Sequence, residues 1–515
     1  MRGVEVVLLL VVLAAAVAAF AHRLRVPAPS LLVLAGLVVA FLPGVPSVEV
    51  SPELVGVVVL PPLLYAAGQD LPWRELRPVW RPVTVLAVGL VVATAAAVGA
   101  VAVAVTGLPG SMAFVLGAVL ASTDPVAVTA LGRRLSLPTR LQALIQAESL
   151  FNDATGLVLF RVAVTAAAAG GVVSLGRSFG QFVLLGGGGA LVGAAVAAIV
   201  SRIRARTEDP TLETVIALVT PYASYIAAES LHVSGITAVV VASVILASRA
   251  LRLTTARIRL QLQAVYGTVV FVLESVVFSL IGLQLPTLIR TNESRGDHWI
   301  WIVQAATITA TLLAVRALWV FPLSLAAETR HGRHRSWRIP AVVSWAGARG
   351  VLPLAAALSI PLTNTSGSPL VGRDHVLLLT VAVIITTLLV QGLTLGPLVR
   401  RSGVTAPPEQ QRNERATARS AMSLAALNHL DQLEQLEAAP TAAIAHFRRN
   451  LEARLQVADG SGPDELEPAL RQLRRDLIAV ETAELTRLYD DGAISATTTK
   501  DLQRSLDLED TGLDH

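Results

Sequence analysis

The sequence predicts an all-α polytopic membrane protein of about thirteen transmembrane helices, followed by a helical cytoplasmic tail. Three observations carry this expectation. Of the 515 residues, 53% are hydrophobic and only 15% charged, whereas a soluble domain sits near 45–50% and about 25%. Apolar runs recur from Val4 to Leu398, and ~20 such residues suffice for a helix to cross a hydrocarbon layer of ~30 Å. Finally, residues 1–402 hold 29 basic and 17 acidic side chains, while residues 403–515 hold 12 and 20. The chain therefore divides into a basic membrane domain, 1–402, and an acidic tail, 403–515.

Taken in order, the apolar stretches place spans near 4–22, 29–43, 53–69, 82–105, 111–132, 138–168, 178–201, 211–229, 233–250, 261–289, 298–327, 338–360 and 374–399. The loops after the odd-numbered spans from the first to the eleventh carry 19 arginines, Arg23 through Arg338, against four in the intervening loops. Basic loops stay in the cytoplasm, so the alternation puts the N-terminus outside and the tail inside. The start of the chain, with Arg2 and small residues at Ala19 and Ala21, also imitates a cleavable leader. Its full-span length and the flanking Arg23 and Arg25 favour a retained helix. The chain has no cysteine, which excludes disulfides, thiol catalysis and cysteine-based metal sites. No phosphate-binding loop or zinc-protease pattern occurs, and the run Gly186–Gly189 reads as a close helix contact.

Thirteen spans split as six, a linker helix and six more, so the second six enter the membrane from the opposite side. Secondary transporters use such inverted repeats, with binding sites near the midplane where matching helices are interrupted. The fifth span of the first set contains Ser122-Thr123-Asp124-Pro125, and the fifth of the second contains Gly347-Ala348-Arg349-Gly350 with Pro353. Proline removes a backbone donor and glycine loosens a helix, so both segments are expected to unwind at depth and cross.

Ionisable groups cost at least ~2.5–3.5 kcal/mol near the bilayer centre and therefore line polar cavities or pair with one another. Those predicted at depth are Asp124, Glu148, Asp153, Arg161, Arg316, Arg349 and Glu274. In Glu148-Ser149-Leu150-Phe151-Asn152-Asp153, the helical period puts Glu148 and Asn152 on one stripe and Ser149 and Asp153 on the next.

These motifs, in this order, resemble the signature set of the monovalent cation/proton antiporters, in the sodium/proton exchanger (NhaP/NHE-type) branch. The resemblance covers roughly residues 4–400 and leaves out the tail. It implies that Asp153 is the carboxylate that binds either cation or proton. It further implies that Thr123, Asp124, Ser149 and Asn152 supply or support oxygen ligands for transported Na⁺, Thr123 through its backbone carbonyl. Glu148 and Arg316 are implied as a core ion pair, and Arg349 as the arginine of the second broken helix. Hard cations such as sodium prefer oxygen donors, and the partial charges at broken helix ends suit an aspartate and an arginine. Burial favours the neutral form of Asp153 and a bound cation the charged form, so the two cargoes compete.

The resemblance further implies a secondary antiporter, not an enzyme, that exchanges Na⁺ for H⁺ in the cell membrane, serves pH homeostasis and needs no cofactor. Asn152 beside Asp153, in place of two aspartates, resembles the electroneutral, one-for-one type. Elevator-like alternating access is expected, with core helices at about 82–168 and 298–399 moving against scaffold helices at about 1–69 and 211–289 that also form a homodimer surface. A K⁺/H⁺ antiporter and, more remotely, a cation channel are the alternatives. The partners expected are the cation, the proton and membrane lipid, with no nucleic acid. Many bacterial relatives carry a glutamate near the position of Ala66, which this chain lacks. Glu274 and Gln284 read as packing or dimer contacts, with a transport role as the alternative, Arg161 as a local pair or a side chain reaching for the interface, and His331 and His334 as parts of a basic loop, with pH sensing as the alternative. Leucines at helical spacing from Leu424 to Leu436, with amphipathic segments at 464–490 and 497–508, give the tail its helices.

Overall fold

A computed structural model of the chain describes residues 12–17, 19, 28–40, 55–71, 73–124, 137–168, 175–207, 209–253, 255–292, 299–330, 337–364, 367–404, 408–436, 440–458, 466–491 and 496–513. Pro125, the end of the fifth predicted span, most of the first span, His331 and His334 lie outside these residues. Among the described residues there is no strand, and Thr363 and Pro369 form an isolated bridge. The chain forms two compact units, Met1–Thr405 and Ala406–His515.

Apart from the single turn Trp73–Leu76, the helices described in the first unit are α1 (Ala28–Ala40), α2 (Leu60–Gln69, entered through a π-turn at Val55–Val59), α3 (Trp80–Thr106), α4 (Gly110–Leu120), α5 (Thr139–Ala168) and α6 (Leu175–Arg204). They continue as α7 (Pro210–Ser230), α8 (Gly235–Leu253), α9 (Ala256–Asn292), α10 (Ile300–Arg330), α11 (Arg338–Trp345), α12 (Val351–Leu358) and α13 (Arg373–Ser402). Seven of them contain stretches long and apolar enough to cross a membrane, namely α3, α5, α6, α7, α9, α10 and α13. Four shorter apolar helices, α1, α2, α4 and α8, fall on further predicted spans. The twelfth predicted span is two half-helices, α11 and α12, of eight residues each. This is an all-helical, multi-pass membrane architecture.

Local signals explain the helix ends. Asp209 caps α7, accepting from the backbone N–H of Thr211 at 2.7 Å and of Leu212 at 3.1 Å, and Pro210 follows in the first turn, where its missing donor costs nothing. Those two bonds hold the Asp209 carboxyl below its usual range, so the cap is complete at neutral pH and is lost only as pH falls through the carboxylate range. Helix α13 ends at Gly403, whose φ of 64° is the left-handed conformation glycine adopts without strain.

Helix packing relies on small residues. Backbone atoms of Ser234 and Ala238 on and before α8 press against Gly189 and Gly193 of α6, leaving no room for a Cβ at either glycine. This is the close contact expected of the glycine run, although it engages Gly188, Gly189 and Gly193, while Gly186 and Gly187 face open space. One buried ion pair was not anticipated. Arg204, expected in a cytoplasmic loop, ends α6 with 3% exposure and pairs with Glu213 of α7, 0% exposed, at 2.6 Å.

The tail contains α14 (Pro408–Gln435), α15 (Thr441–Ala458), α16 (Leu466–Asp490) and α17 (Ala496–Leu513). Helix α14 packs on α15 and α16 on α17, around buried Ile444, Ile478 and Leu485. Exposed ion pairs tie each hairpin: Arg448 reaches Glu434 at 2.6 Å, and Arg474 reaches Glu509 at 2.7 Å. The second pair holds the Glu509 carboxyl below its usual range.

Replacing Gly193 by leucine is expected to force α6 and α8 apart and cost about 1–3 kcal/mol or more. Gly186→Ala, which meets open space, should be silent. Yield of monodisperse protein and melting temperature in detergent measure both.

Candidate functional site

The site is assembled where two helices stop. Helix α4 ends at Leu120, and Ser122, Thr123 and Asp124 continue without helical structure. Helix α11 ends at Trp345, residues 346–350 are irregular, and α12 begins after Gly350. The two interruptions meet directly: the Asp124 N–H donates to the Ala348 carbonyl at 2.8 Å. Arg349 sends its Nε to the carbonyl of Leu120, the last residue of α4, at 2.7 Å, and another guanidinium nitrogen to the Gly347 carbonyl. Its backbone N–H donates to Thr387 Oγ1 of α13 at 3.1 Å.

The carboxylate of Asp124 lies against Gly350, the residue that opens α12, so closely that a Cβ there would collide with it. A guanidinium thus sits at the partly negative C-terminal end of one half-helix and a carboxylate at the partly positive N-terminal end of the other, the arrangement favoured by peptide dipoles. Charge and backbone amides satisfy groups that a hydrocarbon layer would leave stranded.

Helix α5 supplies the third wall. Ser149 Oγ donates to the Thr123 carbonyl at 2.5 Å. Asn152 is fully engaged on both sides of its amide: Nδ2 donates to Thr123 Oγ1 at 2.7 Å and to Glu148 Oε1 at 3.3 Å, and Oδ1 accepts from the Thr123 N–H at 3.3 Å. Glu148 and Arg316 of α10 form a two-pronged pair, with both nitrogen–oxygen distances 2.6 Å and exposures of 1% and 3%. Arg316 Nε also reaches the Val343 carbonyl of α11 at 3.1 Å, and a Cβ at Gly347 would meet this arginine at 2.8 Å. Asp153 is 5% exposed, with Ser122, Asp124, Glu148 and Arg349 as its polar neighbours. Its Oδ1 has no hydrogen-bond partner among the described residues.

Thr123, Asp124 and Asp153 line one small cavity, whose far wall is formed by α2, α12 and Glu274 of α9. Ser149 and Asn152 are not among its lining residues; they hold the Ser122–Asp124 segment from behind. Among the described residues no group of three or more carboxylates and histidines has the geometry of a resident metal site.

The model of the sodium/hydrogen exchanger transmembrane region matches residues 8–401. The chain belongs to this family. It is a multi-pass membrane antiporter of a monovalent cation and protons, not an enzyme. A protein of Mycobacterium tuberculosis named as an uncharacterized sodium/proton exchanger is 33% identical, the match covering 99% of this chain and 96% of that one. A sodium, potassium, lithium and rubidium/proton antiporter of Bacillus subtilis is 30% identical over 93% of this chain and 73% of its own length. The solved structure of the sodium proton antiporter MjNhaP1 from Methanocaldococcus jannaschii shares the fold, with a TM-score of 0.64 and 21% identity over 78% of this chain and 99% of that one.

Within this antiporter fold, Asp124, Glu148, Ser149, Asn152, Asp153, Arg316 and Arg349 all meet at the crossing. Arg161 does not. It pairs with Glu229 of α7 at 2.5 Å, 68 residues away, with both side chains about one third exposed. The expected local pairing or reach to the interface is replaced by a bridge between two helices. Glu274, read from the sequence as a packing or dimer contact with transport as the alternative, lines the cavity. A lone carboxylate deep in a span was the available signal, but helical period alone does not say which neighbour it meets.

Removing one partner of the Glu148–Arg316 pair, as Glu148→Gln or Arg316→Met, strands a buried charge and is expected to cost about 3–5 kcal/mol. Folded protein recovered after solubilisation should fall sharply in both. Gly350→Ala, by pushing on the Asp124 carboxylate, should leave more folded protein yet depress transport, read as cation-induced dequenching in everted vesicles.

Proposed function

We propose that the protein exchanges Na⁺, or another small monovalent cation, for H⁺ in a one-for-one, electroneutral cycle, with Asp153 as the group the two cargoes share. The supporting observation is the Asp153 carboxylate itself: buried at the crossing, open to a cavity, and with one oxygen unused by any described residue. A buried polar atom left in this condition is costly unless something occupies it. A cation would be held by Asp153 and Asp124 with an oxygen of Thr123, hard donors that suit sodium. Ser149 and Asn152 act on the cation through Thr123, whose position they set.

Charge balance supports the stoichiometry. Among the core groups, three carboxylates, Asp124, Glu148 and Asp153, face two guanidiniums, Arg316 and Arg349. The surplus is one negative charge, which one monovalent cation or one proton neutralises. Asn152 adds no charge and uses its amide to bind Thr123 and Glu148. An aspartate there would place a second surplus charge in the core.

Transport follows by alternating access. The core, helices near 82–168 and 298–399 with both interruptions, moves in elevator fashion against a scaffold near 1–69 and 211–289. The thirteen spans form two inverted six-helix repeats in the plasma membrane, with the N-terminus outside and the tail, 403–515, in the cytoplasm. Two copies join through the scaffold. A K⁺/H⁺ exchanger is the second reading, favoured by the relative from Bacillus subtilis whose name includes potassium, lithium and rubidium. A channel fits poorly with a site as buried as Asp153.

In everted vesicles, Asp153→Asn should abolish the dequenching that Na⁺ evokes in the wild type, and equal activity would remove the assignment. In proteoliposomes with a K⁺-diffusion potential set by valinomycin, Na⁺-driven proton flux should be indifferent to voltage. A rate that follows the imposed potential would exclude one-for-one exchange.

A further inference from the structure

The cavity at the crossing has an acidic residue on its opposite wall that the exchange cycle above does not use. Glu274 lies midway along α9, within a stretch of otherwise apolar residues from Val269 to Ile281 that is broken only by hydroxyl groups. It lines the same cavity as Thr123, Asp124 and Asp153, together with residues of α2 and the first turn of α12. Among the described residues none forms a hydrogen bond or ion pair with Glu274, and Asp124 lines the same cavity. A carboxylate at membrane depth that neither pairs nor packs against a donor is expensive as a purely structural element.

The wall it stands on matters. Helix α9 packs most extensively against α1 and also touches α2, α12 and α13; α1, α2 and α9 fall in the stretch assigned to the scaffold, whereas Asp124 and Asp153 are carried by the core. We propose that Glu274 is a scaffold-borne positioning residue for the cation: it draws a monovalent cation into the cavity and holds it near Asp124 and Asp153 until the core takes it over. The neighbouring wall offers no alternative, because α2 presents Leu60, Leu63, Leu64 and Ala67 to the cavity, all without charge. The buried Asp153 Oδ1, unengaged by any described residue, belongs to a side chain that lines the same cavity and is the acceptor to which the cation passes.

This assignment rests on the proposal that Asp153 is the exchange site and that α9 stays with the scaffold. It separates two properties that a ligand on the core would change together. A charge that does not travel with the core contributes to capture of the cation and leaves the charge carried per cycle untouched. Loss of Glu274 should therefore weaken the apparent affinity for Na⁺ without altering stoichiometry. Because the attraction is electrostatic, screening should weaken it further.

The test is a titration of Na⁺ against proton flux in proteoliposomes, on wild type, Glu274→Gln, Glu274→Ala, Glu274→Asp and Asp153→Asn. Glu274→Gln and Glu274→Ala should raise the KM for Na⁺ by roughly tenfold with little change in maximal rate, and Glu274→Asp should recover most of the affinity. In the wild type, KM should rise when choline chloride is added, and that rise should flatten in the neutral variants. A wild-type KM in either neutral variant would overturn the inference. So would a loss of maximal rate alone that the aspartate does not restore. Should Asp153→Asn remain active, the exchange-site reading fails instead, which keeps the two failures apart.

Discussion

Two helices that end inside a hydrocarbon layer expose backbone groups that lipid cannot satisfy, and in this protein each interruption repairs the other. Asp124 donates its N–H to Ala348 and lays its carboxylate on the start of α12, while Arg349 covers the end of α4. Neither half of the exchange is available to a single broken helix. Glycine at 350 is required because the carboxylate occupies the space a side chain would fill, and glycine at 347 because Arg316 lies against it. The rest of the site is arranged around this crossing.

The Glu148–Arg316 pair shows how such a site stays folded. A buried ion pair is a poor source of net stability, since desolvation offsets its attraction, yet losing one partner is severe. Its contribution here is geometric: it ties α5 to α10, and through Val343 and Gly347 to the second interruption. Asn152 then links Glu148 to Thr123, so the paired charges also set the position of the Ser122–Asp124 segment. The protein has two kinds of buried carboxylate on one turn of helix. Glu148 is saturated with donors and rigid, and Asp153 is left with an oxygen to spare.

Much of this was legible in the sequence, for physical reasons that can be named. Hydropathy reads spans well because lipid imposes length and composition on every helix. The interruptions were legible because proline and glycine at depth mark unwinding, and the stripe of Glu148, Ser149, Asn152 and Asp153 because helical period is local. What escaped was contact between distant elements. Arg204 looked like a loop arginine because it flanks an apolar run, but its partner Glu213 lies across a turn whose path the composition does not encode. Arg161 and Glu229 are 68 residues apart. Glu274 was visible as a costly charge, yet only the packing of α9 beside α2 and α12 shows which cavity it enters.

Competition of a cation and a proton for one carboxylate is the claim on which the exchange cycle stands, and calorimetry of the purified protein addresses it without any transport step. Na⁺ is titrated into wild type and Asp153→Asn at one pH in buffers of different ionisation enthalpy, so that the protons released per ion bound are counted. The account requires close to one proton per Na⁺ in the wild type at a pH where the free site is protonated, falling toward none as pH rises, and no saturable heat in Asp153→Asn. Saturable Na⁺ binding to the wild type with no proton release at any pH, or unchanged proton release in Asp153→Asn, would contradict it.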